Sequence, residues 1–176
     1  MGSLEESSAA SDAEGTSTAA TAYLSEHNVP FEKISVTYEK PDGGESLCDV
    51  LARQMNTEPD KLVKTMVFKY GVDSPCLVLM HGHKQVDKKK LARELGASVK
   101  NVKPADADMA ARFTGYDFGG TSPFGTREAM AVYMEEGIRE MELVYINGGS
   151  RQLVLRMAVD DLIRTLQPTV ADLAAE

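Results

Sequence analysis

Tryptophan is absent from this 176-residue chain, and cysteine (2) and histidine (3) are scarce. Two cysteines, Cys48 and Cys76, cannot build a disulfide framework, so a reducing cytosol is the expected compartment. No apolar run reaches the roughly 18 residues of a membrane-spanning helix. The opening stretch, MGSLEESSAASDAEGTSTAAT, is polar and acidic and has no apolar segment of a secretory signal. Glu6 stands where an N-myristoylation motif requires Ser or Thr. Lys and Arg total 19 against 27 Asp and Glu, a net charge of −8, which excludes a protein that coats nucleic acid through a broad basic surface. Nucleophile-histidine chemistry also lacks its parts. Cys76 alternates with Val78 and Met80, placing His81 on the other face of the same strand, so Cys76 reads as a small buried hydrophobe. His81 and His83 could supply two metal ligands, but zinc needs three or four and no third stands at a recognisable spacing. Neither a GK[ST] nor a GxGxxG pattern occurs. No metal and no cofactor are therefore expected.

What is present indicates one α/β domain over residues 17–176, after a Ser/Ala/Gly/Glu-rich tail over 1–16 that is expected to be disordered. The spacing predicts a helix from Ser17 to about His27, a strand over FEKISVTY ending at Tyr38, and a helix over 46–55 on Leu47, Val50, Leu51 and Met55. Two buried strands follow, LVKTMVFKY (62–70) and CLVLMH (76–81). Asp87 is an N-cap for a helix closed by Gly96; ASVKNVK (97–103) is expected to be a short strand; a further helix spans Asp106 to Phe113. Strands are expected over AMAVYM, ELVYIN and GGSRQLVLRM, then a helix opened by Asp160 or Asp161 and stopped near Pro168. Strands and helices mix without strict βαβ alternation, which predicts a mixed, curved or partly closed sheet surrounded by helices. Charge is uneven: residues 84–103 carry seven basic side chains, Lys84, Lys88, Lys89 and Lys90 among them, against two acidic ones. That cluster reads either as a solvated helix face or as a small patch able to touch a few phosphates.

Two features carry chemistry. Alternation along LVKTMVFKY puts Lys64 between Leu62 and Met66 on an apolar face, where an ammonium needs a partner or a wet pocket. It could snorkel to the sheet edge, pair with a carboxylate such as Asp49, or wait at the floor of a cleft for an anionic or carbonyl oxygen. The second feature is GYDFGGTSPFG, in which Gly115, Gly119, Gly120 and Gly125 fall within eleven positions, together with Thr121, Ser122 and Pro123. Such a loop can bring backbone N–H groups close to an oxygen, or be merely a long connection.

The order KTMVF, VDKKKLARELGA, TGYDFGGTSPFG, VYINGG and DLIRTL resembles the YbaK/ProX family of aminoacyl-tRNA deacylases, which includes the editing domain inserted in or fused to some prolyl-tRNA synthetases. The resemblance covers about residues 18–168, and its most specific part is Gly119-x-x-x-Pro123 followed by Phe124-Gly125. It implies hydrolysis of the ester joining a wrong amino acid, commonly alanine or cysteine, to proline tRNA. Lys64 would be the essential lysine, contacting the ester or the terminal phosphate region. Gly119 and Gly120 would aim N–H groups at the carbonyl and limit side-chain size, with Pro123 fixing the loop. Tyr38 would line the pocket. Asn147, Gly148 and Gly149 fall where many members carry Ser-Gly-Gly or Ser-Ala-Gly, and Val154 where some cysteine-specific members carry aspartate. Both departures turn the expectation from cysteine towards alanine. No protein nucleophile is implied; the attacking group would be a water activated by the terminal 2′-hydroxyl, or the thiol of a cysteinyl substrate. The implied partners are the acceptor end of mischarged tRNA, held by Lys84, Lys88, Lys89 and Lys90, and a prolyl-tRNA synthetase or multi-synthetase complex. A non-catalytic module binding tRNA or a nucleotide, and an unrelated small-ester hydrolase, are the competing expectations.

Overall fold

The computed structural model describes residues 17–37 and 39–176; the expected tail and Tyr38 lie outside the described residues. The described chain is a mixed α/β fold with six α-helices and one eight-stranded sheet. In chain order these are α1 (Ala19–Glu26), β1 (Glu32–Ser35), α2 (Leu47–Gln54), β2 (Leu62–Tyr70), β3 (Ser74–His81), α3 (Lys88–Leu95), β4 (Lys103–Pro104), α4 (Ala107–Thr114), β5 (Ala131–Glu135), α5 (Glu136–Arg139), β6 (Leu143–Ser150), β7 (Leu153–Ala158), α6 (Val159–Leu166) and β8 (Thr169–Ala171). The sheet is open and runs β1-β7-β6-β2-β3-β5-β8, with β4 on β2. The β2–β6, β3–β5 and β5–β8 pairs are parallel, the others antiparallel.

Local chemistry sets most helix ends. Thr18 with Thr21, and Ser46 with Asp49, form reciprocal capping boxes that satisfy the first N–H groups of α1 and α2. Asp87 and Asp106 cap α3 and α4, and Gly96 and Gly115 close them in the left-handed conformation. The last helix differs from expectation. It begins at Val159, with Ala158 as a cap that makes no side-chain bond, so Asp160 and Asp161 lie in the first turn, where they complement the helix dipole.

Two strands were misplaced by pattern. Val99–Asn101 forms a single 3-10 turn, and only Lys103 and Pro104 join the sheet, because Pro104 has no N–H with which to prolong a ladder. Gly148 and Gly149 end β6 rather than opening the next strand: the β6–β7 register shifts between Asn147 and Ser150, and the turn falls at Arg151–Gln152. A bulge, not the hairpin turn, uses the glycines.

The core has two layers. On one face Val63, Leu79, Ile146 and Leu155 pack against Leu24 of α1, Ile138 of α5 and Leu162 of α6. On the other, Phe68, Cys76, Val78 and Met80 pack against Leu91 and Ala92 of α3 and Val102. Lys64 belongs to this second face by alternation, registered opposite Met80.

Candidate active site

β2 is paired along its whole length with β3, from Val63 opposite His81 to Tyr70 opposite Ser74. Its other edge is covered only in pieces. β6 pairs at Leu62 and Val63, and β4 pairs at Phe68 and Lys69. In between, Ala105 N–H donates to Val67 C=O (2.9 Å), and on this edge no strand of the described residues pairs with the stretch from Lys64 to Met66. Main-chain groups alternate between the two edges of a strand. Leu62 C=O accepts from Gly82 N–H on the β3 side, and Val67 C=O faces the opposite side. Thr65, two residues from Val67, therefore turns its N–H and C=O to the uncovered edge. A cavity of about 510 Å³ occupies this gap. Its floor is Lys64 to Val67; its walls come from Leu47 and Cys48 of α2, Ala107 of α4, the segment Phe118–Gly119, Asn147 of β6 and Val154 of β7.

Lys64 is half-buried on this floor. Among the described residues it makes no hydrogen bond or ion pair. Asp49, the carboxylate that might have paired with it, instead accepts from the Ser46 N–H and hydroxyl (2.9 and 2.8 Å). Burial pushes the Lys64 ammonium below its ordinary 10.5, partly opposed by the Cys48 thiol. The same burial pushes the Cys48 thiol up, with Asp49 and Asp60 adding and Lys64 opposing. Cys48 is therefore protonated at neutral pH; its Sγ lies 3.4 Å from Pro59 C=O as a donor. It is not an activated nucleophile. The Thr65 hydroxyl is buried without a hydrogen-bond partner among the described residues.

The glycine-rich loop reaches the cavity through Phe118, Gly119 and Thr121. Gly119 has φ of +85°, and an added Cβ would lie 2.8 Å from Arg151 Nε. Gly120 N–H donates to Asp117 C=O (2.9 Å), so this donor is engaged within the loop rather than offered to the cavity. Gly120 serves close packing instead: a Cβ there would sit 3.2 Å from Ser150 Cα. Ser122 and Pro123 are buried behind the loop, and the Ser122 hydroxyl accepts from Phe124 N–H (3.3 Å).

Asn147 fastens this loop to the sheet. Its Nδ2 donates to Gly119 C=O (3.2 Å) and Ser150 C=O (3.0 Å), while its Oδ1 accepts from Gly149 N–H (2.6 Å). Gly148 lies over Leu153, and Gly149 (φ +99°) over Tyr116 and Thr18, neither of them lining the cavity. Lys84, Lys88 and Lys89 are exposed and do not line it. Lys90 is held by Asp172 (3.0 Å) and Ala174 C=O (2.8 Å), and the Asp172 hydrogen bond raises its pKa.

Sequence reasoning missed Phe118, Arg151, Tyr145 and Cys48 as site residues. Phe118 had a signal: an aromatic residue beside two glycines in a loop. The other three have none, because only the tertiary fold brings Tyr145 and Cys48 to the cavity and Arg151 to the Phe118 carbonyl. Among the described residues no three His, Cys, Asp or Glu side chains gather as metal ligands, and no helix is long and apolar enough to cross a membrane.

Comparison with known proteins bears on the family and the fold. EbsC of Enterococcus faecalis, named as a candidate Cys-tRNA(Pro)/Cys-tRNA(Cys) deacylase, is 21% identical over 153 residues, covering 87% of this chain and 90% of that protein. A proline–tRNA ligase of Ligilactobacillus salivarius is 32% identical over 91 residues, 52% of this chain but 15% of the ligase. The crystal structure of a candidate trans-editing enzyme for prolyl tRNA synthetase superposes with a TM-score of 0.76 at 21% identity, covering 92% of this chain and all of that one, and so shares the fold. The model of the aminoacyl-tRNA editing domain matches residues 44–165, more than half of the chain and every residue that lines the cavity. The chain belongs to the aminoacyl-tRNA editing domain family.

Proposed function

We propose that the protein hydrolyses the ester of mischarged aminoacyl-tRNA in trans, removing a small amino acid, alanine or cysteine, from proline tRNA. The observation that carries this reading is the uncovered stretch of β2, where an ammonium without a partner among the described residues and the main-chain groups of Thr65 face one apolar cavity. An aminoacyl ester presents what such a floor can bind: an α-amino group that donates, and a carbonyl that accepts and gains negative charge on attack. Thr65 C=O is available to the amino group, and the Lys64 ammonium to the carbonyl oxygen or the adjoining phosphate. Preorganised donors of this kind contribute about 3 kcal/mol each to stabilising a developing oxyanion.

The chain supplies no nucleophile in this scheme. Cys48 is kept as a thiol, and Ser122 is buried away from the cavity. The attacking oxygen is a bound water, which passes its proton through the terminal 2′-hydroxyl of the tRNA to the departing 3′-oxygen as the ester C–O bond breaks; the thiol of a cysteinyl substrate is the alternative attacking group. An aminoacyl ester is already activated, so correct placement supplies much of the acceleration. Gly119 and Gly120 shape the loop that limits the acyl side chain, Thr121, Ser122 and Pro123 complete it, and Asn147 with Gly148 and Gly149 holds it in place. The wall at Val154 is apolar and offers no carboxylate to a thiol, which favours alanine over cysteine. Lys84, Lys88 and Lys89 add weak, salt-sensitive attraction for the acceptor stem.

A deacylation screen of alanyl-, cysteinyl-, seryl- and prolyl-charged proline tRNA tests the reading. Hydrolysis of the alanyl or cysteinyl ester with prolyl-tRNA spared is expected. No turnover of any charged tRNA by the purified protein would overturn it.

A further inference from the structure

Resting on that reading, we infer that Phe118 is the stacking platform for the terminal base of the tRNA, with the nucleoside filling the part of the cavity that the amino acid leaves empty. Phe118 is 74% exposed, whereas the other four phenylalanines are buried or half-buried. It also lines the cavity, so its ring stands at the rim, one end in solvent.

The ring is held there by an anchored backbone. Phe118 C=O accepts from Arg151 Nε (3.0 Å), Gly119 C=O accepts from Asn147 Nδ2 (3.2 Å), and Gly120 N–H closes back onto Asp117 C=O (2.9 Å). Three consecutive residues are thus tied to the β6–β7 hairpin or to the loop itself, and an aromatic ring is presented to water from a fixed base.

The volume of the cavity gives the second argument. At about 510 Å³ it lies within the range of about 300–1,000 Å³ that encloses drug- or nucleoside-sized ligands. An alanyl or cysteinyl group alone is far smaller. The Lys84–Lys90 cluster does not line the cavity, so contact with the nucleotide that bears the ester falls to the rim. The 3′ end of tRNA is single-stranded, and proteins hold unpaired bases by laying them on aromatic rings. Phe118 is the ring so placed.

The absence of tryptophan makes the test direct, since Phe118→Trp carries the sole indole of the protein. The probe is a tRNA acceptor-end RNA carrying a non-hydrolysable 3′-alanylamide. Its binding is expected to quench the indole, at the concentration at which the same RNA inhibits the wild-type enzyme. Phe118→Ala is expected to raise KM for mischarged tRNA about ten-fold, with a much smaller change in kcat. Val72→Ala, at a still more exposed position on the β2–β3 turn, is expected to leave KM unchanged. The inference fails if KM of Phe118→Ala stays within about two-fold of wild type, or if the indole is unquenched while competition shows the RNA bound. Either result leaves the deacylase reading standing. A wild-type protein that hydrolyses no charged tRNA overturns that reading, and this inference with it.

Discussion

Replacing Lys64 by methionine shortens the side chain by one atom and removes its charge, so activity and stability are expected to move in opposite directions. A unit charge about 4 Å from a developing oxyanion, at the effective dielectric of about 20 that suits a half-buried site, is worth about 4 kcal/mol. Part of this is offset by desolvation, which leaves an expected fall of about 10²- to 10³-fold in kcat. Stability should stay level or rise, because no carboxylate among the described residues loses a partner and the half-buried ammonium is removed. The pH dependence fixes the sign. The folded pKa of Lys64 is lowered below 10.5, so between that value and 10.5 the unfolded chain binds more protons than the folded one. Wild-type stability therefore gains a contribution as pH rises through this window, fully present above 10.5 and lost as pH falls below the folded pKa; Lys64→Met lacks it. Single-turnover deacylation and urea unfolding at pH 7 to 10.5 measure both quantities. Activity within about three-fold of wild type, or a large loss of stability at neutral pH, would refute the reasoning.

Asn147→Ala releases Gly119 C=O, Ser150 C=O and Gly149 N–H together, so a stability loss of about 1–3 kcal/mol is expected in urea, with a fall of at least about ten-fold in kcat/KM as the loop loses its tie. Gly125→Ala is expected to cost about 3 kcal/mol or more: its φ is +65°, and the new Cβ would lie 2.5 Å from Ala19 O, a backbone atom that cannot swing aside. Glu135 is buried, which by itself raises its pKa. The N–H groups of Leu173, Gly137 and Ala174 outweigh this, with the His81 ring assisting, and hold the carboxyl below its ordinary 4.5. Its contribution is present above about pH 4.5 and lost as pH falls through the depressed folded value, so Glu135→Gln should be destabilised relative to wild type at pH 7, and the gap should narrow near pH 3.

How much could be read beforehand follows from the range of the forces involved. Lys64 was legible because alternation is local: one residue out of phase with its neighbours marks the strand. The cap at Asp87 was legible for the same reason, whereas the caps at Ser46 and Asp106 came only with the structure. The strand β8 was not, since three residues after Pro168 carry no pattern and owe their place to parallel pairing with Tyr133–Glu135, a contact across more than thirty residues of chain. The pair Gly148-Gly149 misled because glycines near a strand end usually signal a turn. Here the Asn147 side chain and the Thr18 hydroxyl, which bonds Gly148 C=O, stabilise a bulge inside the strand, and an unremarkable Arg151-Gln152 makes the turn. The engaged N–H of Gly120 was equally hidden, because a glycine's identity gives its freedom and not its partner. For Gly120 and Ser122 the sequence pointed to a loop, and the coordinates divide that loop into a face that reaches the cavity and a face that packs.

The interrupted edge of β2 has a bearing on how such a protein can diverge. In the proposed function the acyl group meets a floor of main chain and one lysine, whereas the surrounding walls are side chains on separate elements, Leu47, Ala107 and Val154 among them. Exchanging one of these residues reshapes the room left for the amino acid without disturbing the strand beneath. Selectivity can drift by single substitutions while the apparatus for bond cleavage is inherited unaltered.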